Sequence, residues 1–234
     1  MHATVALALR HGVAIGAHPS FDDREHFGRR ELVCDLHELK RCVLGQIHRL
    51  QCIAATHGAT LVHVKPHGAL YNMAARDLAL AQVVAEAVRE ADAGLVLVGL
   101  HGSALIAAGE ALGLRTAAEA FADRRYQADG SLVPRSQPGA VIEDADEALE
   151  QVRGLLLRGS VIATDGSRVP LAPDTLCLHG DGQHAVEFAL RLRAAFHFRF
   201  SAAPEPVSKP QDSLFLAAHF FAEISESPDF SAKI

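Results

Sequence analysis

No stretch of this 234-residue chain approaches the ~20 consecutive apolar residues of a membrane-spanning helix, so a place in a bilayer is not expected. Positive charge is also scarce. Lys and Arg number 22 against 28 Asp and Glu, a formal net charge of −6. With no basic excess to neutralise phosphates, neither nucleic acid nor an anionic membrane surface is an expected partner. The four cysteines, Cys34, Cys42, Cys52 and Cys177, show neither CxxC nor zinc-finger spacing. Three of them lie in or beside one predicted helix, so free thiols in a reducing compartment are the expected state. The N-terminus lacks the charged-then-apolar pattern of an export signal, which makes a cytoplasmic location the expectation. There is no GxxxxGKS/T, which excludes a P-loop, and no GxSxG elbow or HExxH helix.

What is present is ordinary globular composition, 49% hydrophobic and 21% charged, enough for a sizeable core. Short apolar runs at 13–17, 61–64, 95–100, 116–121 and 175–178 read as buried strands, each ending in a polar or Gly-rich break. Helical patterns lie between them. The clearest begins at Asp35, with Glu38 as a capping-box partner, and carries Leu36, Leu39, Val43, Ile47, Leu50 and Ile53 on one face. Asp144 with Glu147 repeats that signal ahead of Leu149, Val152, Leu155 and Leu156. Residues 2–11, 74–90 and 185–195 read as further helices. Strands that alternate with helices imply a parallel sheet, whereas 161–171, with Asp165-Gly166 at its centre, reads as a local hairpin. Beyond residue 196 the alternation stops. Residues 1–196 are therefore expected to form the α/β domain, and 197–234 a linker and appended tail.

The chain holds 14 histidines. Several, such as His11, His37, His48 and His57, fall on helix faces where solvent exposure explains them. Four others follow strands directly: His18, His67, His101 and His179. In parallel α/β folds the carboxyl ends of the strands form the active-site face, so these four are expected to converge. Lys65, at the end of a buried strand, must point into a polar site or meet a carboxylate. Pro66 fixes the backbone there, and Gly68 permits close approach of a ligand. Glu119 and Asp123 supply carboxylates for proton transfer, or simply pair with Arg124 or Arg125. Arg29, Arg30 and Arg135 sit in Gly- and Pro-containing loops suited to clamping a carboxylate or phosphate. Asp181 precedes a helix, either as its N-cap or beside an anion on its free N–H groups.

The segments GVAIGAHPS (12–20), FGRR (27–30), VKPHGALYN (64–72), EAFADR (119–124), RSQPGAV (135–141) and CLHGD (177–181) together resemble the LamB/YcsF family, in the family's order over residues 1–196. The resemblance implies an α/β fold, a (β/α)7 barrel of the glycoside hydrolase/deacetylase type. It also implies ATP-dependent opening of the 5-oxo-L-proline lactam to L-glutamate, with ATP (with Mg) as co-substrate, no tightly bound metal, and 5-oxoprolinase subunits B and C as partners. Under it the expected catalytic residues are Lys65, His67, Glu119, Asp123, His18 and Asp181, with Asn72, Arg29, Arg124, Arg135 and His179 binding substrate. Lys65 and an arginine would stabilise phosphoryl or oxyanion charge, and a carboxylate or histidine would activate water. Family members open on two strands, one rich in Asp and Asn and one ending in a CGxHAGDP-like loop. Neither is found here, so a barrel lacking its first two strands is expected. Two alternatives stand beside this reading. One is a metal-dependent deacetylase using His18, His67 or His179 with Asp181; the other is a truncated, non-catalytic homologue that binds partner subunits.

Overall fold

The computed structural model describes residues 1–180 and 185–196. β1 (Gly16–Ala17), β2 (His63–Val64), β3 (Val96–Leu100) and β4 (Arg115–Phe121) lie side by side in one parallel sheet, and β7 (Thr175–Cys177) extends it beyond β4. These are the five apolar runs that predicted strands, and all five pair in parallel. β5 (Ser160–Ile162) and β6 (Arg168–Pro170) form the expected antiparallel hairpin, its turn closed by Asp165, whose carboxylate accepts from the Ser167 N–H. The fold is thus an α/β half-barrel, five parallel strands with helical crossovers.

The helices form where capping and apolar spacing dictate. In α2 (Leu36–Thr56) the Asp35 side chain accepts from the Glu38 N–H, and Leu39, Val43 and Ile47 face inward. Asp144 does the same for α6 (Ala145–Arg158) through the Glu147 N–H. An oxygen at this position satisfies one of the orphan donors of the first turn. α1 (His2–Arg10) precedes β1, α5 (Ala104–Ala111) joins β3 to β4, and α7 (Ala185–Phe196) follows β7.

One expectation needs correcting. Residues 74–90 are not one helix but parts of two, α3 (Gly68–Arg76) and α4 (Leu78–Ala91). Asp77 breaks the run because its side chain accepts from the N–H groups of Ala79 and Leu80, capping α4 from an extended backbone. A short acidic side chain in mid-helix competes with the helical backbone for those donors.

Two buried clusters flank the sheet. One packs Val43, Ile47, Leu70, Val84 and Leu97 from α2, α3, α4 and β3; the other gathers Phe121, Tyr126, Val152, Leu176 and Phe188 around β4, β7 and α6. Space is tight where β1 meets β2. A Cβ on Gly16 would lie 2.1 Å from the His63 ring, so a residue without a side chain is needed opposite that imidazole.

Candidate functional site

Parallel strands deliver all their carboxyl ends to one edge. His18 follows β1, Lys65 to His67 follow β2, His101 follows β3, Asp123 follows β4 and His179 follows β7. His18, Lys65, His67, His101 and His179 line one open cleft of about 730 Å³. The convergence expected of the strand-end histidines is present in the fold.

Three polar groups divide the site. The deepest centres on Lys65, whose Nζ lies 2.7 Å from Glu119 Oε1 and 3.1 Å from Cys177 Sγ. Tyr71 donates its hydroxyl to the other Glu119 oxygen at 3.0 Å. The ammonium also sits over the rings of Phe121 and Tyr71, 5.1 and 5.7 Å from their centroids. Glu119 is fully buried and Lys65 only 4% exposed. Burial alone would pull the lysine down, but Cys177 and Glu119 hold it above its ordinary value. Burial pushes Tyr71 well up, so its phenol remains a donor. Both alternatives for Lys65 are met: it lines the polar cleft and it contacts a carboxylate.

The second group is a histidine pair. His18 Nδ1 lies 2.6 Å from the Lys65 carbonyl, His18 Nε2 lies 3.0 Å from His67 Nδ1, and His67 Nε2 lies 2.9 Å from the Phe27 carbonyl. Burial lowers both, His18 well below the usual histidine range. The loop that offers Phe27 is held against α3. Gly68 (φ +58) lets the Ala69 N–H reach the Gly28 carbonyl, and a Cβ on Gly68 would fall 2.5 Å from that oxygen.

The third group is Asp123 with His179. The carboxylate accepts from His179 Nδ1 at 2.9 and 3.0 Å and from the His179 backbone N–H at 3.0 Å. The imidazole stacks on Phe121, with centroids 5.5 Å apart and planes 19° from parallel. Burial works against the Asp123 anion, but His179 outweighs it and holds the carboxyl below the ordinary Asp range. The ring is therefore fixed in position and tautomer, with Nδ1 as donor and Nε2 left to accept a proton.

The remaining candidates take varied places. Arg124 is buried and donates to the carbonyls of Ala140 and Val133, pinning the segment that leads to α6; burial and nearby Arg135 draw its pKa down to about 10. Arg29 and Arg135 are exposed on the cleft, Arg29 with its guanidinium 5.2 Å from the Phe27 ring. Asn72 lines the cleft and donates to the Gly68 carbonyl. Arg30 meets Asp23 at 3.5 Å instead. Asp181 and the tail beyond residue 196 lie outside the described residues. Among the described residues no group of three or more His, Cys, Asp and Glu is arranged to hold a metal ion.

Sequence reasoning passed over Tyr71, Cys177, Tyr126 and Gln151. Tyr71 stands four residues after His67, the one-turn spacing that brings helical side chains together. Cys177 and His179 are two apart, the strand spacing that shares a face. Tyr126 accepts from the Phe121 N–H at 2.7 Å, and Gln151 donates to the carbonyls of Phe121, Ala122 and Arg124, holding the end of β4. No local signal marks Gln151, because its partners come from another element.

Comparison with known proteins agrees with this architecture. The LamB/YcsF family profile matches residues 1–207. The chain is 55% identical over 195 residues to the 5-oxoprolinase A subunit of Bordetella pertussis, covering 83% of this chain and 77% of that one. It is 54% identical over 193 residues to the 5-oxoprolinase A subunit of Methylococcus capsulatus, covering 82% and 74%. The crystal structure of a lactam utilization protein from Thermus thermophilus superposes with a TM-score of 0.77 at 43% identity, over 84% of this chain and 78% of that one.

Proposed function

This chain belongs to the LamB/YcsF family, and on that footing we propose that it is the lactam-opening subunit of a 5-oxoprolinase, working with partner subunits B and C. The reaction is hydrolysis of 5-oxo-L-proline to L-glutamate driven by ATP. A lactam carbonyl is a poor electrophile, and transfer of a phosphoryl group to its oxygen would open the carbon to water. With no P-loop in this chain, we assign that transfer to an architecture completed by the partners.

The observation that carries the reading is the Asp123–His179 pair. Its geometry is that of a general base: a carboxylate fixes Nδ1, an aromatic ring fixes the plane, and Nε2 can take a proton from water. Arg29 and Arg135 supply positive charge on the same cleft for the substrate carboxylate. In this reading Lys65 acts from beneath the site. Its charge is matched by Glu119, and together they set the shape and potential of the floor.

The test is turnover of 5-oxoproline and ATP by the chain assembled with its partner subunits. His179→Gln should lower kcat by about 10²–10⁴-fold, the range of a general base, with KM little changed. A His179→Gln assembly that retains full turnover would remove the base. An assembly that consumes no 5-oxoproline at all would remove the function.

A further inference from the structure

The histidine pair is short of a proton. Among the described residues, three contacts use all four ring nitrogens of His18 and His67, and two of them end on carbonyl oxygens, which only accept. His18 Nδ1 and His67 Nε2 must therefore both carry N–H. The remaining contact, His18 Nε2 to His67 Nδ1 at 3.0 Å, needs one proton more. Three N–H groups are required, and two neutral imidazoles supply two. We propose that the pair is a one-proton store, and that the stored proton leaves from His67 Nε2 to the ring nitrogen of the lactam as its C–N bond breaks. This rests on the lactam-opening reading above.

The identity of the departing proton follows from burial. When the pair is neutral, one contact must be lost. The His18–Lys65 bond is the more sheltered, and its carbonyl would be left without a donor. The His67–Phe27 bond faces solvent, where water can replace either partner. The neutral pair therefore keeps His18 Nδ1–H to Lys65 and His67 Nδ1–H to His18, and His67 Nε2 becomes the lone pair. His67 is the proton donor, and His18 is the positioning residue that directs loss to Nε2.

The surroundings make this proton easy to give. Among the described residues, His63 in β2 and Lys65 just after it act on His18, while Arg29 from the 24–30 loop, Arg135 from the segment before α6 and His179 after β7 act on His67. Burial, with Arg29, Arg135 and His179, pushes His67 down, opposed by the Phe27 carbonyl. A substrate carboxylate in the cleft reverses part of that effect and favours the protonated pair. The chemistry then balances. Water adds to the carbonyl carbon and gives a proton to His179 Nε2. The C–N bond breaks, its electron pair goes to nitrogen, and nitrogen takes the proton from His67 Nε2, which is left neutral. The added oxygen gives its second proton to solvent and becomes the carbonyl. The phosphoryl-bearing oxygen stays on carbon as an acyl phosphate, and a second water cleaves that to L-glutamate and phosphate.

The experiment is 15N NMR of histidine side chains in the full chain, titrated with and without 5-oxoproline. At the acid end both His67 nitrogens should be protonated. As pH rises, Nε2 alone should change to the lone-pair type, with the 24–30 loop reporting the same midpoint through the Phe27 and Gly28 amides. The carboxylate should raise that midpoint by about one pH unit. In His18→Ala, neutral His67 can keep its Nε2 proton on Phe27, so the loop signals should lose their pH dependence. Loss of the proton from Nδ1, or from His18 first, would overturn the proposal. So would loop signals in His18→Ala that still titrate as in the parent. In the assembled enzyme, His67→Gln should slow C–N cleavage and lose the parent's pH dependence. If the parent turns over no 5-oxoproline, the function fails and the donor role with it, while the proton count is read independently.

Discussion

Replacing Glu119 with glutamine keeps the shape of the side chain and removes one charge from the most buried part of the site. At 2.7 Å, the Lys65–Glu119 attraction is about 6 kcal/mol in an effective dielectric of 20, much of it offset by the cost of taking both ions out of water. The large effect comes from breaking the pair. Glu119→Gln takes away the carboxylate 2.7 Å from the Lys65 ammonium and leaves Cys177 and two aromatic faces among its described neighbours, and such a loss costs about 3–5 kcal/mol. Lys65→Met strands the Glu119 carboxylate with only the Tyr71 hydroxyl and should cost a similar amount. The double variant Lys65→Met/Glu119→Gln removes both charges of the pair, retains an acceptor for Tyr71, and should recover most of the loss. Urea unfolding of the four proteins at pH 7 gives the coupling directly. The reasoning is refuted if Glu119→Gln lies within about 1 kcal/mol of the parent, as for an exposed pair, or if the double variant is as unstable as the sum of the singles.

Acid stability should depend on Asp123. Because its native pKa is depressed, its contribution is complete above the unfolded value of about 4 and is lost as pH falls through the lower native value. Asp123→Asn should flatten the urea midpoint between pH 2 and 5; an unchanged acid limb would contradict the pairing with His179. Gly68→Ala forces a side chain into a left-handed backbone and against the Gly28 carbonyl, a backbone atom with little freedom to yield. The backbone strain alone is about 1–2 kcal/mol, so thermal unfolding should fall visibly, and a variant as stable as the parent would show that the 24–30 loop is not seated there.

The elements, and the edge on which the chemistry gathers, were legible in the chain alone. Period and length marked five buried strands, Asp35 and Asp144 marked two helix starts, and alternation forced a parallel sheet whose carboxyl ends share one side. Histidine after strand after strand thus became a shared cleft. The break at Asp77 was harder to read, since Asp is tolerated in helices and declares itself a cap only when the following N–H groups turn toward it. Pairing was not legible at all. Lys65 and Glu119 are 54 residues apart, Asp123 and His179 56, and His18 and His67 49. No local pattern encodes which strand lies beside which, or which side chain turns toward its neighbour. That choice is made by β3, β4 and β7 packing in register and by Gly16 and Gly68 allowing close approach. Only then does the lysine after β2 meet Glu119 in a buried ion pair, and the histidine after β7 meet the Asp123 carboxylate.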